Sequence, residues 1–145
     1  MQARFCVFVA SLLAVSVVGV PASGGEGEPL EATLRQVVED HLAAYDREDA
    51  AAALKLIHTQ SPEYAKTKKA IAEQFRDQEA TTELVAFRYI GHDDEFAVAR
   101  VKMRTVAPGD AAFADNVVDS ITLFHQEAGV WKYWSDYVLG VEIVE

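Results

Sequence analysis

His41 is the residue of this chain best placed to do chemistry. It lies among Leu30, Leu34, Val37, Val38, Leu42 and Tyr45, which recur at three- and four-residue spacing, the signature of one face of an amphipathic helix. A histidine there can donate a hydrogen bond or carry a proton near neutral pH. It can equally be a core histidine bonded to a backbone carbonyl. Tyr45, one turn further on, would line the same pocket or pack as a core aromatic. His125 and Asp136 fall on consecutive expected strands and would meet as a dyad or as an ordinary cross-strand ion pair. No serine or cysteine is placed beside them as a nucleophile. Arg100, Lys102 and Arg104 alternate along one strand and share a face. If concave, that face would bind a carboxylate or other anion; if convex, the three form a solvated stripe that discourages sheet-to-sheet sticking.

The elements that must position these groups are legible from the spacing. Pro29 opens the first helix, where its missing N–H costs nothing. Asp49 reads as the N-cap of a shorter helix, Ala50 to Ile57. Ser61-Pro62-Glu63 starts a third helix that runs to about Gln78, with Tyr64, Ile71 and Phe75 on its buried side. The period then changes from helical to two. Strands are expected at Leu84 to Ile90, Phe96 to Val106, Val117 to His125 and Trp131 to Val138, with Val141 to Val144 continuing or pairing after Gly140. Gly91 to Glu95 makes the first tight turn and Glu127-Ala128-Gly129 a later one. In the last strand, alternation sends Trp131, Tyr133 and Tyr137 to one side and Trp134 to the other. One set would fill the interior and the other meet a dimer partner. Helices followed by an antiparallel meander is an α+β layout.

The N-terminus fixes a compartment. A positive start at Arg4, an apolar run from Phe5 to Val20 and small residues at Pro21 to Gly24 form the three parts of a secretory signal peptide, with cleavage expected after Ala22. The run is short of the ~20 residues a membrane-spanning helix needs, and no basic cluster follows it. The expectation is residues 1–22 as signal, 23–28 as a flexible lead-in and 29–145 as one domain, periplasmic or extracellular, with no stable membrane insertion after cleavage. Removing Arg4, the single charge in residues 1–22, takes the net charge from −10 to −11. Such a surface repels phosphate backbones, so nucleic acid is not an expected partner. The one cysteine, Cys6, leaves with the signal, so the domain holds together without disulfides. His41, His58, His92 and His125 show no metal-ligand spacing, and no phosphate-binding glycine loop occurs. Neither a metal nor a cofactor is implied.

Three stretches carry a resemblance. Tyr45-Asp-Arg-Glu-Asp49-Ala ends the first helix in an acidic cap, Phe113-Ala-Asp115-Asn116 leads into a long strand, and Gly129-Val-Trp131-Lys132-Tyr133-Trp134 opens the last strand. In that order they resemble the nuclear-transport-factor-2-like superfamily, the cone-shaped α+β fold shared with ketosteroid isomerase and the SnoaL-type cyclases, and most closely small exported members. The resemblance implies a curved antiparallel sheet wrapped on three helices, a pocket at the open end of the cone and a homodimer through the sheet. It also puts His41 where isomerase-like members carry an oxyanion-donating tyrosine. Their carboxylate base cannot be carried over, because no Asp or Glu occurs between Ile57 and Pro62. The expected function is binding of a small, mostly apolar or carboxylate-bearing ligand by His41, Tyr45, Phe75, Arg100 and Trp134. The alternatives are an isomerase, dehydratase or cyclase using His41 as acid/base, and an interaction module acting through the sheet face.

Overall fold

The computed structural model describes residues 27–77, 80–106 and 114–144. The expected signal segment, residues 1–22, and most of the expected lead-in lie outside them. Three helices precede a four-stranded antiparallel sheet in the order β1-β2-β3-β4. Helix α1 spans Gly27–Asp46, and its apolar stripe buries Leu34, Val37, Val38 and Ala44. Its last turn reverses through Glu48, whose φ of 53° is left-handed. Asp49 then caps α2, Ala50–Lys55, by accepting the Ala52 N–H at 2.9 Å. This helix is two residues shorter than the spacing predicts. Ile57 makes a parallel bridge with Tyr133 instead of continuing it. The His58 N–H donates to Tyr133 O at 2.8 Å, and the Tyr133 N–H donates to Leu56 O at 2.9 Å. The link between α2 and the next helix is thus pinned to the sheet through Tyr133. Helix α3 spans Tyr64–Asp77. The Ser61 hydroxyl accepts from the Glu63 N–H at 3.1 Å and donates to Trp134 O at 2.5 Å, which fixes the approach of α3 to the sheet.

The strands are β1 Thr81–His92, β2 Phe96–Val106, β3 Asn116–Glu127 and β4 Val130–Ile143. The β1–β2 and β3–β4 hairpins each have a local cause. Asp93 accepts the N–H groups of Glu95 and Phe96 at 2.9 and 2.7 Å, which closes β1 to β2. Ala128 and Gly129 both take positive φ, 52° and 78°, as a two-residue hairpin turn requires. Strand β4 runs unbroken through Gly140, accommodating it with a register shift opposite Asp119/Ser120. Ala97, Ala99 and Val101 of β2, Phe124 of β3 and Phe87 of β1 face the helices and meet Leu34, Val37 and Val38 of α1. A second core, Ala44, Ala53, Ile57 and Ile71, joins the three helices. No helix among the described residues is long and apolar enough to cross a membrane.

Candidate functional site

A break in the pleat of β4 builds the site. Phe124 pairs with Tyr133 but Leu123 pairs with Ser135, so Trp134 is the extra residue of a β-bulge. Asp136 then pairs with Thr122. Phe124 and Thr122 both face the helices and are buried. Tyr133 and Asp136, three residues apart, therefore share the interior face, where plain alternation would separate them. Tyr137 pairs with Ile121 and is 62% exposed. The expectation that it shares a face with Tyr133 is corrected by the bulge.

Two hollows of about 330 and 250 Å³ lie between the helices and this face, and His41, Tyr133 and Asp136 border both. The larger is closed by Ile57, Ser61 and α3 residues including Lys66 and Thr67. The smaller is closed by Leu42, Tyr45, Met103 and Thr105. The His41 ring lies 4.8 Å from the ring of Tyr45 and 4.8 Å from that of Tyr133, edge-on to the latter. Its Nε2 is buried without a hydrogen-bond partner among the described residues, an arrangement that costs about 1–3 kcal/mol if nothing satisfies it.

Desolvation dominates the electrostatics. Burial brings the His41 pKa down to about 4, so the imidazole is neutral at physiological pH. Burial raises Tyr45 to about 12 and Tyr133 well above the ordinary phenol value, with Asp136 and Tyr45 adding to the latter. Asp136 keeps an open surface toward the hollow, yet the protein around its carboxyl pushes its pKa up, an effect the Thr122 hydroxyl, donating at 2.6 Å, partly offsets. A group that is both accessible and desolvated marks the wall of a cavity. The wall presents a neutral imidazole, two neutral phenols and a carboxyl that holds its proton more tightly than usual, all able to exchange hydrogen bonds or protons with a bound molecule.

The expected site residues divide. His41 and Tyr45 border the hollows, and Trp134 borders the larger one. The Trp134 ring packs among Phe96, His58 and His125, with centroids 5.7, 5.0 and 4.9 Å away. The side chain of Phe75 lies outside the described part of α3. Arg100 does not reach the cavity. Its neighbours Ala99 and Val101 face the core, so the pleat turns Arg100 to the outer face of the sheet. The His125–Asp136 dyad is also corrected. The register sets His125 opposite Lys132 and Asp136 opposite Thr122. The spacing paired Asp136 with the wrong partner and gave His58 no role. The place of Asp136 beside Tyr133 and His41 needed the bulge, which no glycine announces. Buried His58 accepts from the Gln60 N–H at 3.0 Å and stands 3.7 Å from Glu127. Glu127, paired with Lys132 and with the hydroxyl of Thr59, also accepts the Thr59 N–H at 3.0 Å and ties this link to the β3–β4 hairpin. Among the described residues no group of three or more His, Cys, Asp or Glu is placed to hold a metal ion.

Residues 36–144 match the sequence profile of a family described as the anti-sigma-I factor RsgI9, C-terminal domain. No curated protein matches the chain. Among solved structures, similar folds include a scytalone-dehydratase-like protein of Novosphingobium aromaticivorans (10% identity, 79% of this chain and 87% of that one, TM-score 0.63). An NTF2-like protein of unknown function from Pseudomonas putida KT2440 is 13% identical over 76% of this chain and 85% of its own, TM-score 0.62. The beta subunit of benzoate 1,2-dioxygenase from Burkholderia mallei is 10% identical over 74% and 87%, TM-score 0.61. At such identities the likeness is one of fold, and the fold is the NTF2-like α+β cone.

Proposed function

This chain belongs to the family of the anti-sigma-I factor RsgI9 C-terminal domain, and from that premise we propose an exported domain that binds a small, mostly apolar molecule carrying a neutral polar group. The observation that carries the reading is the shared wall of the two hollows, where the neutral His41 imidazole and Tyr133 phenol meet Asp136, whose carboxyl holds its proton more tightly than usual. A carbonyl or hydroxyl group can exchange hydrogen bonds there. A carboxylate would meet no cation on that shared wall, Lys66 at the larger hollow is already paired with Glu63 at 3.3 Å, and the chain around it has a net charge of −10. The family takes its name from a domain of an anti-sigma factor, a regulator by name, which supports binding over turnover. Association of two copies through the sheet belongs to the same reading, and the exposed Tyr137, Val138 and Leu139 of β4 support it.

The test is a ligand-observed NMR screen of neutral carbonyl and hydroxyl compounds beside their carboxylate analogues, repeated on His41→Leu and Tyr133→Phe. Neutral compounds should bind and both variants should weaken them. Preference for the carboxylates, or hits indifferent to both substitutions, would overturn the proposal. A second reading, acid–base catalysis, draws on one feature: a neutral imidazole, a phenol and a carboxyl of raised pKa border the same space. It requires chemical conversion of a bound hit, abolished in a His41→Ala protein that still binds it.

A further inference from the structure

We infer that the outer face of the sheet carries a second, independent site, in which Arg88, Arg100 and Lys102 hold a doubly charged oxyanion, a phosphate or sulfate group. The register sets Arg88 directly opposite Arg100, and Ala86 opposite Lys102. These four residues line a shallow hollow of about 270 Å³, floored by the small Ala86 side chain. The pleat turns this face away from the cone cavity, so the site does not depend on the reading of that cavity.

Charge decides what the hollow fits. Like charges directly opposite in a sheet repel unless an anion lies between them. Asp119 is the anion at hand. Arg100 grips it with Nε and Nη2 at 2.8 and 2.5 Å, and Lys102 Nζ lies 3.4 Å away. Both cations pull the Asp119 pKa down to about 2, the Arg100 hydrogen bond most strongly, so its charge is fixed. Arg88 has no ion-pair partner among the described residues. Further along β2, Arg104 lies opposite Glu83 and 4.0 Å from Asp115, so it adds no excess charge. Three cations against one carboxylate leave two positive charges, on a chain whose net charge is −10. A monocarboxylate would neutralise half of that excess and a dianion all of it. The guanidinium fork of Arg88, the Nη1 edge that Asp119 leaves on Arg100 and the Lys102 ammonium, each partly open to solvent, suit the several oxygens of a phosphoryl or sulfuryl group. At physiological salt, screening over about 8 Å leaves this local excess effective against the more distant acidic surface.

The test titrates the full chain with inorganic phosphate, sulfate, glycerol phosphate and acetate, reading arginine side-chain Nε–H signals by NMR. Phosphate or sulfate should shift Arg88 and Arg100 saturably, with acetate much weaker. Arg88→Gln should weaken binding roughly tenfold, the loss of about one charge-assisted contact. Asp119→Asn should tighten it by removing the competing carboxylate. Tighter binding of glycerol phosphate than of free phosphate assigns the natural ligand to a phosphate ester, and the reverse order to the free ion; both support the site. Absence of a saturable shift, acetate binding as well as phosphate, or an unchanged Arg88→Gln protein overturns it. Arg88 is exposed, so that variant stays folded and decisive even where Asp119→Asn does not.

Discussion

Replacing His41 with glutamine should remove a specific acid sensitivity from the fold. An ordinary histidine has a pKa of 6.5, whereas burial holds His41 at about 4. Above pH 6.5 the ring is neutral in both the folded and unfolded chain and contributes no pH dependence. Below 6.5 the unfolded chain takes up a proton that the folded one refuses, so stability falls. At about 1.4 kcal/mol for each tenfold change in proton affinity, the loss is about 2 kcal/mol by pH 5 and about 3 kcal/mol by pH 4, where it levels off. For a domain of this size that is a fall in Tm on the order of 10 °C. Asp136, on the same wall, acts in the opposite sense. Its raised pKa gives stability that is present at low pH and lost as pH rises through the folded-state value. Tyr45 and Tyr133, the other groups facing His41, do not titrate in this range. Asp136 is present in both proteins, so the difference between wild type and His41→Gln isolates the histidine. Urea unfolding of both proteins at half-unit steps from pH 7.5 to 4.5 measures it. This window lies above the region where Asp119 and Glu127 protonate in the folded chain. A difference curve that stays flat between pH 6.5 and 4.5 would refute a desolvated His41 and the cavity wall built on it.

Thr122→Val removes the hydroxyl that donates to Asp136, so the Asp136 pKa should rise further; carboxyl ¹³C titration checks this, and an unmoved pKa contradicts the pairing. Glu127 is held at about 2, chiefly by Lys132 and then by Thr59, so its contribution is present above pH 4.5 and lost as pH falls toward 2. Glu127→Gln should flatten that acid limb and speed hydrogen exchange at the Thr59 amide, and equal exchange in both proteins would argue against the tie. Gly129 has φ 78° and open space where a Cβ would stand. Gly129→Ala should therefore cost about 1 kcal/mol through backbone strain alone, measured by urea unfolding; no loss would mean that the turn relaxes.

The Leu34–Val37–Val38 spacing announced α1 because a buried helical face repeats every three to four residues. The Phe96–Val106 alternation announced β2 to its ends because one face is core and the other is not. Asp49 as a cap and Gly129 as a turn residue were legible for the same local reason. His41 and Tyr45 could be named because they share that helical stripe. Which face of the sheet the helices cover is not a local property, so the sequence left Arg100 open to either side. The packing of Ala99 and Val101 against α1 decided it. The Trp134 bulge is likewise tertiary. It exists where residues 56–58 dock on Tyr133 and Ser61 bonds the Trp134 carbonyl. Those contacts span more than seventy residues of chain, beyond the reach of any periodicity. By moving one residue out of the pleat, they place Asp136 beside Tyr133 and His41 on the wall that two hollows share.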